Sequence, residues 1–343
     1  MYNLFCLSSC VAFRYVTKKG VSWKECIIPD FPKIMKKDQK GVFDADEIID
    51  VFSNQIKSDE KTGILLSSGI DSAILASFLP EGTKAYTVKF IADGAIDESI
   101  GASMFAKKMN LNHKIVDVTW NDYLNLMDLL MKRKKSPLHA IEVALYKTAM
   151  VARQDGVNKL IVGNGADSTF GGMDKLLSKD WTFEEFIKRY NFVEPSSVLR
   201  KYEDIHDIYL PYKKGNGINV PGFLKTVHGL GIVQAFNNAI EAAGCSVVVP
   251  YESLFLNAPL DLNRIRNNES KYILRKVFHK RFPGFHIPDK IPFTRPMEQW
   301  LANWEGPKRQ EFLDQIDIKG FSGDQKWIIY CLERFMDLFE EEK

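Results

Sequence analysis

The chain has 343 residues, 45% of them apolar and 26% charged. This length suits one large domain with an appended lobe, and the composition excludes disorder and collagen. Forty-six Lys and Arg against 44 Asp and Glu leave a net charge of +2, so no overall field marks a binder of nucleic acid or membrane surfaces and any anion recognition has to be local. Cys6, Cys10, Cys26, Cys245 and Cys331 include no C-x-x-C pair, which argues against a disulfide framework or zinc ribbon and for a reduced, cytoplasmic setting.

Tyr2 to Phe13 is apolar but carries no preceding Lys or Arg and is interrupted by polar residues, so it reads as a buried strand rather than a signal peptide. No segment approaches the roughly 18 apolar residues that would span a bilayer. Val11 to Val16 is rich in β-formers and Pro29, Pro32 and Lys36 to Lys40 follow, which predicts a small strand unit and a linker over residues 1–45. A helix is predicted over Asp44–Ile56, with an Asp at its start and Ile48, Ile49, Val51 and Phe52 on one face.

From Gly63 onward strands and helices alternate. Strands are predicted at Gly63–Leu66, Lys84–Phe90, His113–Val118 and Lys159–Val162, with helices at Ala73–Leu79, Asp97–Met109 and Val143–Gln154. Crossovers of this length require a mostly parallel sheet with helices on both faces, an α/β fold whose ligands lie beyond the carboxyl ends of the strands. After Gly172 strand signals almost vanish, and helices at Trp181–Tyr190, Thr226–Ala243 and Lys271–Phe282 predict a helical C-terminal half. Lys132-Arg133-Lys134-Lys135 reads as a solvated helix end.

Two turns carry the chemistry. Ser67-Ser68-Gly69-Ile70-Asp71-Ser72 joins a buried strand to a helix; small residues there let backbone N–H groups and serine hydroxyls approach an anion at a helix start. Asp71 would repel a phosphate unless a divalent cation lies between them, which points to magnesium. No Walker loop and no G-x-G-x-x-G occurs. Gly163-Asn164-Gly165-Ala166-Asp167-Ser168 repeats the pattern after a second buried strand, and in a parallel sheet Asp71 and Asp167 can meet at one edge to share a metal.

The segment Leu65 to Ser72 resembles the S-G-G-x-D-S loop of the PP-loop ATP pyrophosphatases, whose fold is the adenine nucleotide alpha hydrolase-like sheet. Gly163 to Gly172 looks like the second signature of the asparagine synthetase branch, which includes the β-lactam and carbapenam synthetases. Lys271 to Arg275 is similar to that branch's K-x-x-L-R helix, and Pro288 to Phe293 with Trp300 to its closing lysine segment. The resemblance covers about residues 60–302. It makes residues 46–343 one asparagine synthetase-like domain and residues 1–45 a remnant of the junction with a glutaminase domain.

The resemblance implies an ATP-dependent, AMP-forming amide ligase that adenylates a carboxylate, releases pyrophosphate and passes the acyl group to ammonia or an amine. Ser67, Ser68, Gly69 and Ser72 would hold pyrophosphate, Asp71 and Asp167 magnesium, and Leu65, Val88 and Gly163 the adenine. Lys290 would face the reacting phosphate and acyl oxyanion. Lys271 and Arg275 either face the phosphates or brace their helix. Asn164, His139 and Glu142 are the candidates for substrate contact, and His113 for packing; His228, His279 and His286 show no metal spacing.

Three departures bear on the substrate. Residue 2 is Tyr where the glutamine-hydrolysing relatives have Cys, so the nitrogen is expected from ammonia, an amine or a separate glutaminase subunit. Asn164 stands where relatives carry an acid or Tyr, and an amide cannot act as a general base. Ser168 and Ser253 also replace acids. The competing readings are a PP-loop RNA modification enzyme, disfavoured by near-neutral charge, and a nucleotide-binding pseudoenzyme.

Overall fold

The computed structural model of the chain describes residues 1–32, 39–287 and 295–340. Its elements, in order, begin with α1 (Leu4–Phe13), β1 (Lys40–Val42), α2 (Ala45–Gln55), β2 (Thr62–Leu65), α3 (Ile70–Ala76), β3 (Lys84–Phe90) and α4 (Ser99–Lys108). Next come β4 (Asn112–Val118), α5 (Trp120–Lys134), α6 (Glu142–Gln154), β5 (Lys159–Ile161), α7 (Ala166–Phe170), α8 (Asp174–Leu177) and α9 (Phe183–Tyr190). A small hairpin of β6 (Lys213–Lys214) and β7 (Gly217–Ile218) leads to α10 (Val220–Phe223), a π-helical turn (Leu224–His228) and α11 (Gly229–Ala242). Then follow β8 (Ser246–Val248), β9 (Leu254–Leu256), α12 (Leu262–Arg266), α13 (Tyr272–Arg281), α14 (Met297–Trp300) and α15 (Gly323–Leu338).

Five strands form one parallel sheet in the order β4-β3-β2-β5-β8. The chain first builds outward from β2 through β3 to β4, then returns to the other side of β2 with β5. This reversal opens a crevice at the carboxyl ends of β2 and β5, the place where such sheets take ligands. The register Ile64↔Ile161 sets Leu65–Leu66 alongside Val162–Gly163. Helices cover both faces, and the central strands are buried, as a parallel sheet requires. The α/β sheet with a helical C-terminal half is the fold that the alternating pattern predicts.

Two elements differ from the sequence reading. Tyr2 to Phe13 is the helix α1, not a strand. Asn3 caps it by accepting from the Cys6 amide at 3.1 Å, and Arg14 ends it in the left-handed region at φ 66°. Cys6 to Phe13 are all buried, on every side of the helix, so the run shows neither alternation nor an amphipathic stripe and its period cannot be read. Its polar members are satisfied: Ser9 Oγ donates to the Tyr15 carbonyl, and Ser8 Oγ accepts from the Glu203 amide. The helix packs on α15, where the Tyr2 hydroxyl donates to the Met336 carbonyl.

The fifth strand, β8, lies inside the half expected to be helical. It is three residues long, follows Gly244 in the left-handed region at φ 79°, and pairs with β5. The predicted linker is bracketed by β1, which pairs in parallel with β9; residues 33–38 lie outside the described residues.

Lys134 is also not solvated. It is 1% exposed, and its ammonium meets Glu142 Oε1 at 2.6 Å. Among the described residues no helix is long and apolar enough to cross a membrane.

Candidate active site

The Ser67–Ser72 loop closes on its own hydroxyls. The Ser67 amide donates to Ser72 Oγ at 3.0 Å, the two hydroxyls lie 2.9 Å apart, and the Gly69 amide donates to Ser67 Oγ at 3.2 Å. From below, the buried Tyr251 hydroxyl donates to the Asp71 carbonyl at 3.0 Å. The Gly163 turn presses on this loop: a Cβ there would lie 3.3 Å from the Ser72 amide nitrogen and 3.4 Å from Asp71 Cβ. Gly165 then starts α7 at φ 87°, a conformation that suits glycine.

This packing brings Asp71 and Asp167 together on one cation. Lys271 Nζ lies 2.5 Å from Asp71 Oδ2 and 2.8 Å from Asp167 Oδ1. Burial alone would favour the neutral amine, but the two carboxylates outweigh it and hold the Lys271 pKa above its ordinary value. Gly172 leaves room for the arrangement, because a Cβ there would fall 1.8 Å from Asp167 Oδ1 and 2.2 Å from Lys271 Cε.

The donor chemistry fits magnesium together with phosphate. Both carboxylates meet the Lys271 ammonium here, and because no group of three or more His, Cys, Asp or Glu among the described residues is placed to hold a metal ion, the pair would need outside oxygens such as those of phosphate to complete a magnesium shell.

A cavity of about 480 Å³ opens at this edge. Of the residues singled out from the sequence, Leu65, Ser67, Gly69, Asp71, Ser72, Val88, His139, Gly163, Asn164, Asp167 and Lys271 line it, as does Arg275. Tyr86, Thr87, Leu145, Val162 and Phe236 add an apolar wall near Leu65 and Val88. His113 takes the packing place expected of it, with Nε2 2.7 Å from Thr87 Oγ1. Ser168 Oγ donates to the Gly165 carbonyl within the turn.

Ser68 and Glu142 do not line the cavity. Ser68 is buried, with its hydroxyl 3.4 Å from Glu98 Oε2. Glu142 is fully buried; besides Lys134 it accepts from the His139 amide at 2.6 Å and from Asn238 Nδ2 at 2.7 Å. Its carboxylate therefore braces the segment that carries His139, a correction to the expectation that it contacts substrate. Lys290 lies outside the described residues.

Three cavity residues were not picked from the sequence. Glu98 is buried, and burial, against Ser68 and Arg295, raises its pKa to about 7. Arg295 pairs with Asp324 in a fork, Nε donating to Oδ1 at 3.1 Å and Nη2 to Oδ2. His228 holds Tyr190 Oη at 3.0 Å from Nδ1, and burial, then the Arg14 charge, lower its pKa to about 4 against the pull of Asp167. His139 is likewise held well below its ordinary value by burial and the neighbouring Arg14, whose guanidinium is 3.2 Å from Nε2. None has a sequence motif; the adjacency of Asp97-Glu98 to a helix start was the one available signal, and it marks only a cap.

The cavity's sheet edge lies within a stretch that known proteins share. A model of the asparagine synthase family matches residues 45–216, half of the chain. The chain is 26% identical over 183 residues to asparagine synthetase (glutamine-hydrolyzing) 2 of Bacillus subtilis (strain 168), covering 47% of this chain and 24% of that protein. It is 25% identical over 158 residues to amidase chry2 of Gibberella zeae, covering 38% of this chain and 22% of that one. The matched stretches thus span about a quarter of the length of these curated relatives. From the helix that Asp44 caps, through the Ser67 loop, to the Gly163 turn and beyond, the matched segment builds the sheet edge of this site, and the chain belongs to the asparagine synthase family.

Proposed function

We propose that this cavity performs an ATP-dependent, AMP-forming ligation: a carboxylate oxygen attacks the α-phosphorus of ATP, pyrophosphate leaves, and a nitrogen nucleophile then displaces AMP from the acyl group. One observation carries the reading. Asp71 and Asp167, 96 residues apart in sequence, meet on Lys271 beside a small-residue loop where the strand order reverses.

In this reading Leu65, Val88 and Gly163 frame the adenine, and the Ser67–Ser72 loop offers hydroxyls and amides to the β- and γ-phosphates. Asp71 and Asp167 would hold magnesium, which when bound neutralises charge gathering on the departing pyrophosphate. Lys271 then gives up one or both carboxylates and turns its ammonium to a phosphate oxygen, so the site exchanges one set of charge pairs for another. Arg275 and Arg295 supply further positive charge along the wall, and Lys290 is assigned to the reacting phosphate and acyl oxyanion. The apolar side contributed by Leu145, Ile232 and Phe236 excludes water from the acyl-adenylate. The nitrogen donor is ammonia or an amine, free or delivered by a separate glutaminase subunit, and the reaction is placed in the cytoplasm.

The test is pyrophosphate release from Mg-ATP across a panel of proteinogenic amino acids and short dicarboxylic acids, with hydroxylamine as trap. Acid-dependent pyrophosphate and hydroxamate, both lost in Asp71→Asn, support the ligase. ATP binding without either product for any acid would favour a nucleotide-binding protein without ligase chemistry.

A further inference from the structure

Amide formation needs a proton acceptor for the attacking nitrogen, and the cavity offers few. Asp71 and Asp167 share the Lys271 charge. Asn164 has an amide, and Lys271, Arg275 and Arg295 are donors only. The Tyr86 hydroxyl is spent on Asp155. Glu98 stands on the loop side, against Ser68. His139 has a neighbour at each ring nitrogen, Arg14 Nη1 at Nε2 and the Ile141 amide at Nδ1. His228 differs: its Nδ1 meets the Tyr190 hydroxyl, and Nε2 is the ring nitrogen left for the cavity it lines.

The position is built. His228 ends the π-helical turn Leu224–His228, and such turns are frequent at functional sites. The Tyr15 hydroxyl donates to the Val227 carbonyl at 2.6 Å. Gly231 admits the Tyr15 ring, where a Cβ would sit 2.7 Å from Cδ1. Tyr190 is fixed in turn by Phe223, edge-on at 4.6 Å, and by Phe186, stacked at 5.7 Å. On the other side the turn packs against α7, which carries Asp167.

We propose that His228 Nε2 accepts the proton of the nitrogen nucleophile in the second step, with Tyr190 as its positioning residue. The inference rests on the ligase reading above. In the tautomer whose Nδ1–H donates to Tyr190 Oη, Nε2 is bare. As the nitrogen attacks, the C–N bond forms and the acyl C–O bond to AMP breaks, its electron pair leaving on the phosphate oxygen. The proton shed by nitrogen moves to Nε2 and from there to solvent. The titratable and charged groups around the ring are Arg14, Asp167 and Tyr190, with His139 nearby; burial and Arg14 lower the proton affinity of the imidazole and Asp167 opposes them.

The experiment separates the two steps in the full chain, using acids found active in the panel. Acid-dependent exchange of labelled pyrophosphate into ATP reports adenylation; amide yield with ammonium reports the second step. Hydroxylamine, a weaker base that reacts largely unprotonated at neutral pH, depends less on an acceptor. His228→Gln is expected to keep exchange within about threefold, to lose amide formation by about 10²–10⁴-fold, and to retain most hydroxamate formation. Tyr190→Phe, which keeps the ring packing, should show the same split with a smaller loss. Equal loss in both steps, or normal amide formation by folded His228→Gln, overturns the base. Absence of acid-dependent exchange in the unaltered protein instead overturns the ligase reading, and the base with it.

Discussion

The Lys134 ammonium and the Glu142 carboxylate, 2.6 Å apart, form an ion pair in which both side chains are sealed from water. Lys134 also donates to the Pro137 carbonyl, and Glu142 accepts from His139 and Asn238. Pairing and hydrogen bonds offset a desolvation cost that either ion alone would leave uncompensated. Glu142→Ala should therefore cost about 3–5 kcal/mol in urea unfolding. Adding Lys134→Met to it should recover much of that loss, because the orphaned charge is removed.

Lys271 acts as a resident cation between Asp71 and Asp167. Lys271→Met removes the ammonium that both carboxylates meet, and a divalent ion can then compete more readily for their oxygens. Binding of Mn²⁺ without nucleotide, followed by electron paramagnetic resonance, should tighten by about tenfold, a change of roughly 1.4 kcal/mol. Unchanged Mn²⁺ affinity would mean that the lysine does not compete for these oxygens.

Glu98 predicts a pH dependence of stability. Its folded pKa of about 7 stands above the ordinary 4.5, so between these values the unfolded state holds fewer protons than the folded one. Stability contributed by the protonated carboxyl is fully present below pH 4.5 and is lost as pH rises through 7. Glu98→Gln should remove this decline. Against the unaltered protein it should gain on the order of 3 kcal/mol between pH 4.5 and pH 8, read from thermal or urea melts at the two pH values.

Gly172→Ala places a methyl group on top of Asp167 Oδ1 and Lys271 Cε. Either the turn or the ion pair has to move. Pyrophosphate release should fall by at least about tenfold, the scale of a misplacement near 1 Å, while the protein remains folded by circular dichroism. Full activity in Gly172→Ala would show that the three charges need not be held this closely.

Much of the sheet and its edge was legible because local pattern and global fold agree there. Lys84–Phe90 is a strand over the residues read for it, and the helix capped by Asp44 and the loop Ser67–Ser72 fall where predicted. What escaped depends on distant partners. Cys6 to Phe13 is buried on all sides and loses its helical period, and β8 is three residues that become a strand by pairing with β5. Lys134 sits in a basic run that looks solvated until Glu142 folds over it. His228 and Tyr190 are 38 residues apart, and the contact between the π-helical turn and α9 leaves no local signal in the sequence.

The docking of α1 against α15 sets a timetable for synthesis. The Tyr2 hydroxyl waits for the Met336 carbonyl, 334 residues downstream, and at the usual 5–20 residues per second that is on the order of 20–60 s. Throughout this interval Leu4 to Phe13 has emerged as an apolar stretch with its final neighbour still unmade. This helix is thus covered in full only after α15, far downstream in the chain, has been made.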